Sequence, residues 1–395
     1  MIYEGHAYCF PDLRGNAGWA DRDEFMRHLQ LGTAVHFQPA FRSRDRAPAD
    51  SSGLADLSSG WSFDALKDAN FRPAGYGRYE WEADGETFYK QMMPPGLVDM
   101  SFSAESLVAQ LDFAGVDMAL LHRTPYLGVD NDFIADCVKR FPDRLQGLAH
   151  VEEWLVQSEP DEAVWRLRRA INELELHGLQ WLPHHLDLYG QTEPWDSEGF
   201  RPFWNEVAGL NIPVFFTLAG RTEPRFESYL EELRTLGRWM ARYPDVTVVV
   251  THGLSWRMFL KEDGLQIPEE VFAAAPIDNP NFNLQVLFAN FFGREWDYPM
   301  PQIRPTAEML VGRIGADRLI WGTDLPMCMR HYTYRQSLDF VRLHWDFLGP
   351  QKLAPIPHGD MRRARPRYEG SHDLPDEMAQ ILGGNMARIM GIDGA

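Results

Sequence analysis

From Ser103 onward the chain repeats one unit. A helical stretch with an apolar stripe is followed by a short run rich in Val, Ile and Leu. The pair recurs about every 30 residues, the length of a βαβ unit. Strand-like runs fall at residues 116–121, 145–151, 179–182, 212–216, 246–250, 282–288 and 318–322, and helical stretches at 103–115, 132–141, 160–176, 199–208, 227–242 and 305–314. With the opening run Met1-Ile2-Tyr3 there are eight strands, which predicts a closed parallel (β/α)8 barrel. The rival is an open doubly wound sheet. No GxGxxG turn follows a strand, so a dinucleotide site is not supported.

Local signals agree with the repeat. Ser103 is placed to cap a helix whose inner face is Leu107, Val108, Leu111 and Ala114, and Gly115 to end it. Two stretches lie outside the pattern. Residues 10–100 are irregular: a polar loop at 42–53, then the aromatics Phe71, Tyr76, Tyr79, Trp81, Phe88 and Tyr89. They read as an insertion after strand one with short strands of its own. Residues 325–374 read as a second insertion, after strand eight, carrying a basic patch at 361–367. A last helix is expected at 375–390. The expected organisation is one barrel domain over 1–395, with insertions at about 10–100 and 325–374.

Charge and cysteine usage narrow the partners. Lys and Arg total 38 against 57 Asp and Glu, a net charge of −19. Nucleic acid and anionic membrane surfaces repel such a chain. Cys9, Cys137 and Cys328 are far apart, with no CxxC pair, which fits a reduced cytoplasmic protein without a disulfide framework. Neither a signal-peptide pattern nor a membrane-length apolar run of about 18 residues is present. The expected partner is a small-molecule substrate.

The chemistry collects at one kind of position. His6, His122, His150, His184 or His185, Thr217, His252 and Asp324 all fall at or just past the C-terminal ends of the expected strands, the rim where barrels of this type keep their sites. For His122 and His150 the preferred reading is an imidazole held by a backbone carbonyl. His28, His36, His344, His358 and His372 read as loop or surface residues. In Glu4-Gly5-His6-Ala7-Tyr8, strand alternation puts Glu4, His6 and Tyr8 on one face.

The order of His6 after strand one, His252-Gly253 after strand six and Gly322-Thr323-Asp324-Leu325-Pro326 after strand eight resembles the amidohydrolase superfamily. The likeness is greater to its amidohydrolase-2 group, which includes aminocarboxymuconate-semialdehyde decarboxylase and hydroxybenzoate decarboxylases. Gln110, Asp112, Ala114, Gly115, Val116 and Asp117 match that group's QxDxAGVD segment, and residues 141–144 and 381–388 are similar to it too. The chain departs where Asp-x-His-x-His is usual, reading Glu4-Gly5-His6-Ala7-Tyr8, and it places Thr217 where a histidine usually follows strand five. Both missing imidazoles are ordinarily metal ligands. The resemblance therefore implies either no metal or a weakly bound divalent ion, zinc or manganese, held by Glu4, His6, His184 and Asp324. A homodimer is usual in the group.

Three functions stay open. The first is hydrolysis of a small carbonyl substrate, a lactone, an amide or an activated C–C bond, bearing a carboxylate or an aromatic ring. Asp324 is the general base, His252 or His6 polarises the carbonyl, and Tyr8 donates a proton. The alternative is metal-dependent, non-oxidative decarboxylation of an aromatic or unsaturated acid. The third is a barrel that binds a small molecule without turnover. Arg123 and Arg257 are candidate carboxylate clamps. His184, His185, Thr217 and Trp256 are further candidate substrate contacts, Trp256 as a stacking platform, whereas Trp321 reads as core.

Overall fold

The structure is a computed structural model that describes residues 1–219, 225–349 and 374–392. Its centre is a barrel of parallel strands: β1 (Tyr3–Ala7), β2 (Met118–Leu121), β3 (Leu145–Gly147, resuming at Ala149–His150), β4 (Leu179–Trp181), β5 (Val214–Phe216), β6 (Val248–Val250), β7 (Phe282–Val286) and β8 (Leu319–Trp321). Hydrogen bonding runs β1-β2-β3 and from the end of β3 through β4, β5, β6 and β7 to β8. The circle closes past β8, where the Tyr8 amide donates to Leu325 O at 2.8 Å and the Asp324 amide to His6 O at 2.9 Å. The (β/α)8 expectation therefore holds. The expected helix caps are also in place: Ser103 accepts from the Ser106 amide, and Gly115 ends its helix at φ 77°, a left-handed position open to glycine.

The barrel's lower half is filled by Tyr3, Met118, Leu120, Leu148, Phe215, Val249 and Ile320. The C-terminal helical segment, from Asp376–Ala379 to Asn385–Ile389, closes that end with Met386 and Met390. Gly383 permits the contact, because a Cβ there would collide with the backbone of Met1 and Tyr3. Asn385 Nδ2 donates to the carbonyls of Ala316 and Leu319, both at 2.7 Å.

The first insertion has more structure than the sequence pattern indicated. It contains the helix Arg22–Val35, which the irregular mix of Phe25, His28, Leu29 and Thr33 on its buried side conceals. It also contains a five-stranded antiparallel sheet in the order Pro48–Ala49, Ala40–Arg42, Glu86–Gln91, Arg78–Ala83, Arg72–Gly75. Lys90 ties the two together. Its ammonium donates to Thr33 O at 2.7 Å and His36 O at 2.8 Å, at the carbonyl end of the helix where a cation is favoured. This junction sets His36 and Phe37 over the barrel mouth. His28 and His36 are thus not surface residues: His28 is fully buried with its Nε2 2.9 Å from Tyr189 Oη, and His36 lines the central cavity.

Of the second insertion, Met327–Arg330 and the helix Tyr334–His344 are described. The basic patch at 361–367, His358 and His372 lie outside the described residues. Cys9, Cys137 and Cys328 are buried free thiols. Among the described residues no helix is long and apolar enough to cross a membrane.

Candidate functional site

A bulge in β1 decides which opening residues reach the site. Tyr3 pairs with Met118 and Glu4 with Ala119, but the register then slips and Ala7 pairs with Leu121. The extra residue resets the side-chain alternation. Glu4 and His6 consequently part company, against the expected shared face. Glu4 Oε1 accepts the amides of His6 at 2.9 Å and Thr323 at 2.8 Å. His6 and Tyr8 face the barrel mouth together, with His6 Nε2 2.8 Å from the Tyr8 hydroxyl.

Burial pushes the Glu4 carboxyl up to about 8, against the pull of its amide donors. Its folded-state pKa is then above its unfolded one. The resulting stability is fully present below the ordinary carboxyl range and is lost as pH rises toward 8. Glu4→Gln should flatten that loss, a change of roughly a few kcal/mol. Urea midpoints at pH 5 and pH 8, taken with chelator present, measure it; equal pH slopes in both proteins would rule it out.

His6, His252 and Asp324 converge. The Nε2 atoms of both histidines lie 3.6 Å from Asp324 Oδ1. One donor atom from each residue falls within 4.8 Å of the others. Hydrogen bonds orient each side chain. Gln285 donates to Gly5 O at 2.7 Å, so its oxygen, 2.7 Å from His6 Nδ1, accepts, and Nδ1 carries the proton. His6 Nε2 is left as a lone pair toward Tyr8 and Asp324. Asn290 Nδ2 donates to Asp324 Oδ2 at 2.5 Å, and Arg330 Nη2 donates to Asn290 Oδ1 at 2.8 Å. Burial, then the neighbouring His122 and His252, hold His6 well below its ordinary pKa, so it is neutral at pH 7. Burial and the Asp324 charge keep Tyr8 a protonated phenol.

The backbone is strained where the chemistry is. His252 has φ 59° and Asp324 φ 61°, left-handed values that side chains with a Cβ rarely adopt. Gly253, at φ 74°, continues the turn after His252, and a Cβ there would fall inside the Trp256 indole. Gly253→Ala should displace Trp256 and the His252 turn together and lower the thermal midpoint by several degrees. An unchanged midpoint in a thermal melt would refute this packing.

Tyr8, His252, Asn290, Asp324 and Arg330 line a cavity of about 500 Å³, and His6 is buried behind Tyr8 and Asp324. Its walls are mostly apolar: Leu29, Phe37, Trp61, Met92, Met93, Tyr126, Phe291 and Met327. The first insertion supplies the first five of these and so covers the barrel mouth. His184, Thr217, Arg257, Asn290 and Arg330 add polar points.

The remaining sequence candidates divide. His184 and Thr217 reach the cavity. Thr217 Oγ1 bridges Gln180 Nε2 at 3.0 Å and Thr251 Oγ1 at 2.6 Å. Arg257 reaches the cavity too, though its guanidinium is tied to Phe291 O at 2.9 Å and Glu295 at 3.0 Å and stacks on Phe37. Arg123 is sealed away with Nη2 on Gly128 O, and it does not line the cavity. Trp256 is buried beside Phe288, and His185 turns to Glu153. His122 fits the carbonyl reading, with Nε2 2.8 Å from Gly5 O and its ring stacked on His6. Glu4 and His184 are not part of the converging donor group; His252 is. Gln285, Asn290 and Arg330 escaped sequence reading, since an amide on a strand and an arginine in an irregular segment carry no pattern. Asn290 had one signal: a polar residue in the apolar run FANFF just after β7.

The donor set suits a metal. Two imidazoles and a carboxylate are a common ligand set for zinc, and they serve manganese too. The 3.6 Å separations are too long for hydrogen bonds, the geometry left when donors face one point rather than one another.

A family model described as amidohydrolase matches residues 33–392. Among curated proteins, gamma-resorcylate decarboxylase of Rhizobium radiobacter is 24% identical over 224 residues, 50% of this chain and 64% of that protein. The enzyme of the same name from Rhodococcus jostii is 36% identical over 90 residues, 22% and 26% of the two chains. The chain thus spans less than two thirds of the length of either relative. Among solved structures, 5-carboxyvanillate decarboxylase of Novosphingobium aromaticivorans, with bound manganese and a nitrobenzoic acid, aligns with TM-score 0.54 at 15% identity, covering 99% of this chain and 97% of that one. A probable 2-pyrone-4,6-dicarboxylic acid hydrolase of Acinetobacter baumannii, with citric acid bound, aligns with TM-score 0.50 at 17% identity, covering 74% and 90%. At these identities the structural matches speak for the fold.

Proposed function

The chain belongs to the amidohydrolase family, and from that premise we propose that it is a metal-assisted, non-oxidative decarboxylase of a hydroxylated aromatic carboxylic acid. The observation that carries the reading is the convergence of His6, His252 and Asp324 at an aromatic-walled cavity that His252 and Asp324 line. The order of the reactions weighed from the sequence is reversed, because the curated relatives are decarboxylases of an aromatic acid.

In this reaction the aryl–carboxylate C–C bond breaks, carbon dioxide leaves, and a proton takes its place on the ring carbon. A divalent ion held by His6, His252 and Asp324 would supply Lewis-acid polarisation of the substrate's carboxylate and neighbouring hydroxyl oxygens. Phe37, Phe291, Met92 and Met327 hold the ring and exclude water. Arg257 places positive charge on the cavity wall for a substrate anion. Asp324, with one oxygen fixed by Asn290, takes a proton from the substrate's ring hydroxyl and passes it to the ring carbon as carbon dioxide leaves, and Tyr8 donates a hydrogen bond from its neutral phenol.

The test is product analysis with manganese-loaded protein and a panel of ortho-hydroxybenzoic acids. Loss of carbon dioxide with the ring intact is expected. A second reading, hydrolysis of a ring lactone, is favoured by the Tyr8 hydroxyl on His6 Nε2, the lone pair an ion requires. Turnover of a pyrone dicarboxylate, with no carbon dioxide from any benzoate, would replace the first reading by the second.

A further inference from the structure

Behind the cavity wall formed by His184 lies another group of ligand-type side chains. His150 ends β3, Glu153 follows three residues later, and His185 sits in the short helix His184–Leu188. All three are buried to 1% exposure or less. One donor atom from each lies within 4.8 Å of the others. Glu153 stands between the rings, with Oε2 3.0 Å from His185 Nδ1 and Oε1 3.3 Å from His150 Nε2. The Leu182 amide fixes Oε1 at 2.9 Å.

The hydrogen bonding of this group does not close. His150 Nδ1 and His185 Nε2 have no hydrogen-bond partner among the described residues although both are buried, and His150 Nε2 meets only Glu153 Oε1 at 3.3 Å. Trp154, Tyr126 and His28 all pack their rings near His185. Unpartnered imidazole nitrogens in such surroundings are costly. A divalent cation taking one lone pair from each imidazole, with the carboxylate as counter-charge, offsets part of that cost. Two histidines and one glutamate are zinc-type ligands.

We propose that His150, Glu153 and His185 form a second divalent-metal site, of zinc type, distinct from the His6, His252 and Asp324 group. Its work is structural. It joins the end of β3 to the helix that presents His184 to the cavity. His28, from the insertion's helix, has its ring 6.1 Å from that of His185 and its Nε2 on Tyr189, so the same centre anchors the insertion over the barrel mouth.

The experiment uses the full chain with the first group disabled, as the double variant D324N/H252Q, stripped with chelator and titrated with cobalt(II). One equivalent bound, with visible d–d absorption and a raised thermal midpoint, is expected. Adding E153Q should abolish both. Absence of cobalt uptake by the double variant, or uptake that E153Q leaves unchanged, overturns the proposal. Should the triple variant not fold, X-ray absorption on the zinc-loaded double variant decides. Coordination by two imidazoles and a carboxylate supports the site, and any other protein ligand set overturns it. None of these readouts depends on which reaction the barrel catalyses.

Discussion

Asp324→Asn should cut turnover by about 10³-fold or more while leaving the fold intact. Three features place so much on this side chain. Its Oδ1 is the common neighbour of His6 and His252 at 3.6 Å. Its Oδ2 is fixed by Asn290, which Arg330 holds in turn. Its backbone is held at φ 61°, a left-handed value it shares with His252 at φ 59°. Asparagine keeps a carbonyl oxygen for the Asn290 amide and has little effect on packing. It removes the negative charge that draws a cation and the basic oxygen that would relay a proton to the substrate. The loss should therefore fall on kcat, with bound metal falling in parallel. Rates on an ortho-hydroxybenzoic acid and elemental analysis of the same preparation check both. A fully active variant would show that the site has been misplaced.

Removal of metal should be the next largest effect. Dialysis of the full chain against a strong chelator should lower decarboxylation at least about 100-fold, and manganese or zinc should restore it. The ligand set is the reason to expect a removable ion. Three protein donors leave an open position, and the Tyr8 hydroxyl, 2.8 Å from His6 Nε2, competes for one lone pair. Where a fourth imidazole is usual in the family, Thr217 instead closes a hydrogen-bond chain between Gln180 and Thr251. Full activity after exhaustive chelation would transfer the reading to lactone hydrolysis, with Asp324 as base and Tyr8 as donor.

Much of the barrel was legible because its causes are local. Ser103 and Gly115 bracket a helix by capping chemistry alone, and the triplets Val214–Phe216 and Val248–Val250 are too short and too apolar to be anything but buried strands. The helix Arg22–Val35 was not legible, because its buried side mixes Phe25 and Leu29 with His28 and Thr33. Those polar groups are tolerated only through partners distant in the chain or on the helix itself: Tyr189 for His28, and the Leu29 carbonyl for Thr33.

The site divides in the same way. Sequence alone placed His6, His252 and Asp324 at strand ends, because strand ends follow from periodicity and a barrel gathers its C-terminal ends on one rim. It could not separate Glu4 from His6, since the single-residue slip in β1 exists only in the pairing of β1 with β2. Nor could it turn His184 into the cavity and His185 away from it, or bring Glu153 between His150 and His185. Those outcomes belong to the tertiary structure. Local chemistry determines which elements form and where they end, whereas the direction a side chain faces at those ends depends on contacts between residues far apart in the chain.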